Sequence, residues 1–137
     1  KPHIIKKIIS DNRVKEVKPE LQMTGVIKKE TSEEVVKMLV SAVENGYARR
    51  AKIDGYYIGG KTGTAQVPWT SLGVKKSGYS NETIQSFMGF FPAYDPKFLV
   101  LIKLDNPKTR TAEYSAVPLF RELAEYIIDY YQIPPDY

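Results

Sequence analysis

Residues 56–66 read Tyr56-Tyr57-Ile58-Gly59-Gly60-Lys61-Thr62-Gly63-Thr64-Ala65-Gln66, and the conformation of this run decides the fold. A β-forming lead is followed by a cation, two hydroxyls and a glycine. If the run is extended, side chains alternate between faces, with Lys61 and Gly63 on one and Thr62 and Thr64 on the other. An edge strand of this kind offers main-chain hydrogen bonds to an extended ligand lying antiparallel to it, while the two threonine hydroxyls grip a carboxylate. Gly63 removes a side chain where a bound backbone comes close.

The same letters fit a pattern that demands a different fold. Gly55-Tyr56-Tyr57-Ile58-Gly59-Gly60-Lys61-Thr62 matches the phosphate loop G-x-x-x-x-G-K-[ST]. A phosphate loop needs a buried strand before its first glycine and a helix opening at Lys-Thr, so that the helix N-terminus holds the phosphates. Ala48–Asp54 is too polar for that strand, and Gly63 and Pro68 oppose the helix. Tyr56-Tyr57-Ile58 is itself β-forming. Nucleotide binding therefore stays only as the remote alternative.

Downstream lies a second informative run, Ser86-Phe87-Met88-Gly89-Phe90-Phe91-Pro92-Ala93-Tyr94-Asp95-Pro96. Lys-Thr-Gly belongs to the motif set of serine β-lactamases and penicillin-binding proteins. Together, G-K-T-G-T-A-Q and S-F-x-G-F-x-P-A-x-D-P resemble the C-terminal part of the transpeptidase domain of a monofunctional (class B) penicillin-binding protein, the D,D-transpeptidase that cross-links bacterial peptidoglycan. The resemblance is firm over residues 56–107. Lys1–Ile9 is similar to the family's P-x-(I/L)-V-x-x-I segment, and Ser115–Tyr131 to its last helix. The family also acylates a serine in S-x-x-K, and no serine of this chain has a lysine three residues later. Ser10-Asp11-Asn12 spells the family's S-x-N element, but strand-like runs flank it and Asp-Asn is turn chemistry. We read it as a hairpin turn.

Working outward, residues 3–17 form the expected N-terminal hairpin, and 18–30, with Pro19 and Gly25, a connector. Thr31 and Glu34 make a T-x-x-E capping box for a helix over 31–45, whose Val35, Met38, Leu39, Ala42 and Val43 recur at helical spacing. Asn45-Gly46 ends it. Residues 56–104 hold the Lys-Thr-Gly strand and a meander with strands over Thr83–Phe91 and Lys97–Leu104. A helix over 115–131 presents Val117, Phe120, Leu123, Ala124, Ile127 and Tyr131 on one face, with Pro118 in its first turn and Pro134-Pro135 beyond its end. The expected fold class is α+β: an antiparallel β-meander with packed helices, an incomplete β-lactamase/transpeptidase-like fold. All 137 residues read as the C-terminal portion of one transpeptidase domain.

Composition narrows the function classes. The chain has 20 Lys or Arg against 16 Asp or Glu, a formal net charge of +4, and 42% hydrophobic residues. Arg49, Arg50, Lys52, Lys61, Lys75 and Lys76 bracket the proposed edge, and a positive field there draws a carboxylate. No aromatic–basic interleaving accompanies the charge, so no nucleic-acid partner is expected. With no cysteine there is no thiol nucleophile, disulfide or Cys-based metal site. His3, the single histidine, reads as structural or solvated. No apolar run reaches the roughly 18 residues of a membrane span, and any anchor lies upstream.

The resemblance implies roles for four residues. Lys61 holds the ligand carboxylate, raises the local potential and tunes the proton relay around a nucleophile outside this chain. Thr62 and Thr64 bond the carboxylate of a D-Ala-D-Ala terminus or a β-lactam, and Gly63 admits the ligand. The Thr64 N–H supplies half of an oxyanion hole, where one donor is worth about 2.7–4 kcal/mol of transition-state stabilisation. Gln66 and the loop Val67–Asn81, with Trp69 and Tyr79, form a rim, while Phe87, Phe90 and Phe91 read as core. The implied chemistry is serine acyl transfer without metal or cofactor. The implied partners are peptidoglycan stem peptides, β-lactams, the remainder of the transpeptidase domain and the cell-wall synthesis machinery. The expected location is the cell envelope, on the extracytoplasmic face of the cytoplasmic membrane. The chain alone is expected to be inactive. A β-lactam sensor or β-lactamase shares the strand and stays open as an alternative.

Overall fold

The computed structural model describes residues 5–11, 13–18 and 23–137, which divide into the units Lys1–Ser32 and Glu33–Tyr137. In the first unit, β1 (Lys7–Ser10) and β2 (Arg13–Glu16) pair antiparallel, with Ser10 opposite Arg13. Asp11 sits at φ 46°, a left-handed conformation that aspartate tolerates in tight turns. His3, the turn residue Asn12 and the connector's Pro19 lie outside the described residues.

Helix α1 spans Lys29–Glu44. It begins two residues before the expected Thr31 cap, because the Ser32 N–H already bonds to the Lys28 carbonyl at 3.1 Å. Lys28 thus holds the cap position, and Thr31 falls inside the first turn. Of the expected stripe Val43 is buried and Leu39 and Ala42 are half-buried, but Val35 and Met38 are exposed, and Val40, outside that stripe, is buried.

The second unit is built on a meander. β3 (Gly59–Pro68), β4 (Tyr79–Phe91) and β5 (Phe98–Asp105) form one antiparallel sheet in that order. Period-two alternation sends Phe87, Gly89 and Phe91 of β4 to one face, where helix α2 (Ala116–Tyr131) covers them with Val117, Phe120 and Ala124. Phe87 and Phe120 meet edge to face at 4.8 Å, and Phe91 and Phe120 at 5.9 Å. Phe87, Phe91 and Phe120 are fully buried, each contributing about 1.5–3 kcal/mol by leaving water. Phe90 is only partly buried, because it points to the other face of the sheet. On α2, Leu123 and Tyr131 of the expected face are exposed, and Ala116 and Ile128 are buried instead.

The sheet departs from expectation at its start. β3 begins at Gly59, not Tyr56, because the preceding residues bond elsewhere. Gly55 takes φ 86°, and Tyr56 forms an isolated bridge with Ile53. The Tyr56 hydroxyl donates to the Ile133 carbonyl at 2.6 Å, and the Tyr57 N–H to Asp136 Oδ2 at 2.7 Å. The C-terminal tail therefore holds the stretch that local propensity assigns to the strand. At the other end β3 and β4 extend to a Pro68–Tyr79 pair, so the expected loop Val67–Asn81 shrinks to residues 69–78, with a 3₁₀ turn at Trp69–Leu72.

Candidate functional site on strand β3

β3 pairs with β4 along one side only among the described residues, leaving its other edge open to an extended ligand. The register sets Lys61 opposite Met88, Thr62 opposite Phe87, Gly63 opposite Ser86 and Thr64 opposite Gln85. Directly opposed residues share a face. Thr62 and Thr64 thus lie on the α2 side of the sheet, and Lys61 and Gly63 on the far side. Lys61 is exposed, and its ammonium donates to the Thr62 carbonyl at 3.0 Å and lies 3.5 Å from Thr62 Oγ1. An ammonium has three N–H donors, so capacity remains for a ligand. Because Lys61 and Thr62 lie inside a strand, no helix opens at Lys-Thr, and the phosphate-loop alternative lacks the geometry it requires.

The threonines face a cavity of about 300 Å³ lined by Tyr47, Thr62, Thr64, Thr111, Ala112, Glu113 and Tyr114. The Ala112 N–H donates to Thr64 Oγ1 at 3.3 Å, which leaves the Thr64 O–H free to donate outward. A smaller concavity of about 150 Å³ adjoins it, lined in part by Tyr47, Gly60, Lys61 and Thr62. Glu113 is among the residues lining the larger cavity, an acidic neighbour to the cations read from the sequence.

The bracketing cations are distributed unevenly. The Arg50 guanidinium lies 4.6 Å from the centre of the Tyr114 ring, on the cavity rim. Lys76 stacks over Trp69 at 5.0 Å. Lys52 pairs with Glu44, whose carboxylate holds the Lys52 ammonium above its ordinary pKa by hydrogen bond and charge. Gln66, expected on the rim, donates to the Ser80 carbonyl at 3.4 Å. A Cβ at Gly63 would meet Ser86 Oγ at 2.7 Å, so a neighbouring hydroxyl already uses the space glycine leaves.

Sequence reasoning missed the cavity's second wall, Thr111–Tyr114, and the amide behind it. Gln85 is fully buried and bonds to Thr83, Thr109 and Ser115. Its position was findable. Gln85 shares parity with Phe87, Gly89 and Phe91 on β4, so alternation alone puts a polar side chain on the core face.

Among the described residues, no group of three or more His, Cys, Asp or Glu is placed to hold a metal ion, and no helix is long and apolar enough to cross a membrane.

Over residues 1–125 the sequence matches the family described as penicillin binding protein transpeptidase domain. It is 42% identical over 110 residues to stage V sporulation protein D of Bacillus subtilis (strain 168), covering 78% of this chain and 16% of that protein. It is 32% identical over 117 residues to a peptidoglycan D,D-transpeptidase FtsI homolog of Chlorokybus atmophyticus, covering 83% and 16%. Among solved structures, penicillin binding protein 3 of Mycobacterium tuberculosis complexed with ampicillin aligns with a TM-score of 0.72 at 28% identity, over 96% of this chain and 30% of that one. The chain therefore spans about a sixth of the length of these curated relatives.

Proposed function

The chain belongs to the penicillin-binding protein transpeptidase domain family, and on that premise we propose that it supplies the substrate-binding strand of a peptidoglycan D,D-transpeptidase. In this reading a serine carried elsewhere in the domain attacks the D-Ala-D-Ala carbonyl and expels D-alanine. An amine of a neighbouring stem peptide then takes the acyl group. Lys61 and the hydroxyls of Thr62 and Thr64 hold the terminal carboxylate, and the Thr64 N–H donates to the oxyanion. β-Lactams occupy the same edge. The protein would work at the extracytoplasmic face of the cytoplasmic membrane, with the rest of the domain and the cell-wall synthesis machinery as partners.

The observation that carries the reading is the open edge of β3, which presents Lys61-Thr62-Gly63-Thr64 in register with the hydroxyls of Thr62 and Thr64 at one cavity. The test is intact mass spectrometry after incubation with benzylpenicillin. The protein that carries this chain together with its nucleophile segment should gain one penicilloyl adduct, and the isolated chain none. Lys61→Ala should slow acylation of the larger protein by about 100-fold or more, the scale of losing an electrostatic group at a reacting centre. An adduct on the isolated chain refutes the division of labour. An adduct that hydrolyses within seconds reassigns the protein to the β-lactamases.

A further inference from the structure

Gln85 is the largest buried polar side chain among the described residues, and its hydrogen-bonding capacity is fully used. Its Nε2 donates to Thr83 Oγ1 at 3.0 Å and to the Thr109 carbonyl at 2.7 Å. Its Oε1 accepts from Thr109 Oγ1 at 3.2 Å and from Ser115 Oγ at 2.5 Å. A buried amide without such partners is costly, and an apolar residue there would avoid the cost altogether. A fully satisfied network instead fixes one arrangement of the segments it joins.

Those segments lead to the site. Thr109 and Ser115 bound a short excursion whose middle residue, Ala112, gives its N–H to Thr64 Oγ1. Gln85 is also the cross-strand partner of Thr64. One amide thus pins both ends of residues 109–115 directly behind the threonine that their midpoint touches. With its oxygen occupied as an acceptor by Ala112, the Thr64 hydroxyl has its own proton left to offer. Ser115 stands at the N-cap position of α2 yet makes no side-chain cap bond. Its hydroxyl goes to Gln85 instead.

We propose that Gln85 is a positioning residue for ligand recognition: through the 109–115 segment it orients the Thr64 hydroxyl toward the incoming carboxylate. The inference rests on the binding role assigned to Thr64 above.

The experiment is a double-mutant cycle on the second-order rate of acylation by benzylpenicillin, measured in the full protein carrying this chain. Thr64→Val should slow acylation by about 10- to 100-fold, the worth of a hydrogen bond to a charged group. Gln85→Met should slow it about 5- to 30-fold, yet by less than about twofold in the Thr64→Val background, since a residue acting through Thr64 has nothing left to position. Thr64→Ser, which restores the hydroxyl, should restore sensitivity to Gln85→Met. If Gln85→Met prevents folding, Thr109→Val removes the hydroxyl's contacts to Gln85 Oε1 and the Thr111 carbonyl and keeps the Thr109 carbonyl as an acceptor for Gln85, and its smaller effect should vanish in the same background. Multiplicative effects in the cycle, or unchanged acylation in Gln85→Met, overturn the positioning role while leaving the transpeptidase reading intact. A wild-type protein that is not acylated overturns both.

Discussion

Replacing Gly89 by alanine should destabilise the fold, against the general trend. Gly89 is not among the residues at positive φ, and at such a position alanine ordinarily stabilises by about 0.4–1 kcal/mol through the unfolded chain. Here a Cβ would lie 2.5 Å from Phe120 Cζ, 2.6 Å from Phe120 Cε2 and 2.8 Å from Phe87 Cε1. Ordinary carbon contacts sit at roughly 3.5–4.0 Å, so the rings must retreat by about 1 Å. Neither has room to do so: both are fully buried, and Phe120 is packed edge to face on Phe87 and Phe91. Overpacking costs about 1–3 kcal/mol, and weakening an aromatic pair adds about 0.5–1.5 kcal/mol. The net expectation is a loss of about 2–3 kcal/mol after the backbone gain. With a urea slope of about 2 kcal/mol per molar, the unfolding midpoint should fall by about 1–1.5 M. Phe120→Leu in the Gly89→Ala background should recover part of the loss, because the shorter side chain vacates the crowded positions. A Gly89→Ala midpoint within about 0.2 M of wild type would refute the packing argument.

Two further predictions concern the segments flanking β3. Tyr56→Phe, which deletes the bond to the Ile133 carbonyl, should cost about 0.5–1.5 kcal/mol of stability. Asp136→Ala should raise amide exchange at Tyr57, whose N–H it accepts; unchanged protection there would mean that the tail does not hold this turn in solution. Glu44 raises the Lys52 pKa above 10.5, so the stability Lys52 contributes is fully present below that value and is lost as pH rises through the higher, folded-state value. The melting-temperature gap between wild type and Lys52→Met should accordingly be constant up to about pH 10 and close above it. A gap that persists in stronger alkali would assign the contribution to the lysine's methylenes.

The α+β class was legible because the apolar runs over 83–91 and 97–104, joined by the turn residues Pro92–Pro96, are a local property, as is the helical spacing before Glu44. Three features were not local. Tyr56 and Tyr57 carry strong β propensity, yet their hydrogen bonds go to residues 77 and 79 positions away, and no window of sequence contains both partners. Helix α1 exposes Val35 and Met38 of its expected stripe and buries Val40 beside Val43. Helical spacing cannot say which face this chain covers. The letters Lys-Thr-Gly-Thr marked one wall of the cavity, but the other, Thr111–Tyr114, lies about fifty residues downstream with no motif to announce it.

A binding edge must be open in front and rigid behind, and the distribution of core residues meets both demands. Gly60 stands where a Cβ would strike Phe87 Cζ at 2.4 Å, so the strand backbone rests directly on the aromatic cluster one residue before Lys61. Four residues later in β3, at Thr64, the support changes from aromatic to polar. Behind Thr62 lies Phe87, and behind Thr64 lies Gln85. Apolar packing can hold a backbone in place, but it does not choose the direction of a hydroxyl proton. A hydrogen-bonded network does both. Among the described residues, the one place on this face where apolar packing gives way to a buried amide is therefore the place where the proposed reading needs a side-chain hydroxyl, and not merely the strand, to be oriented.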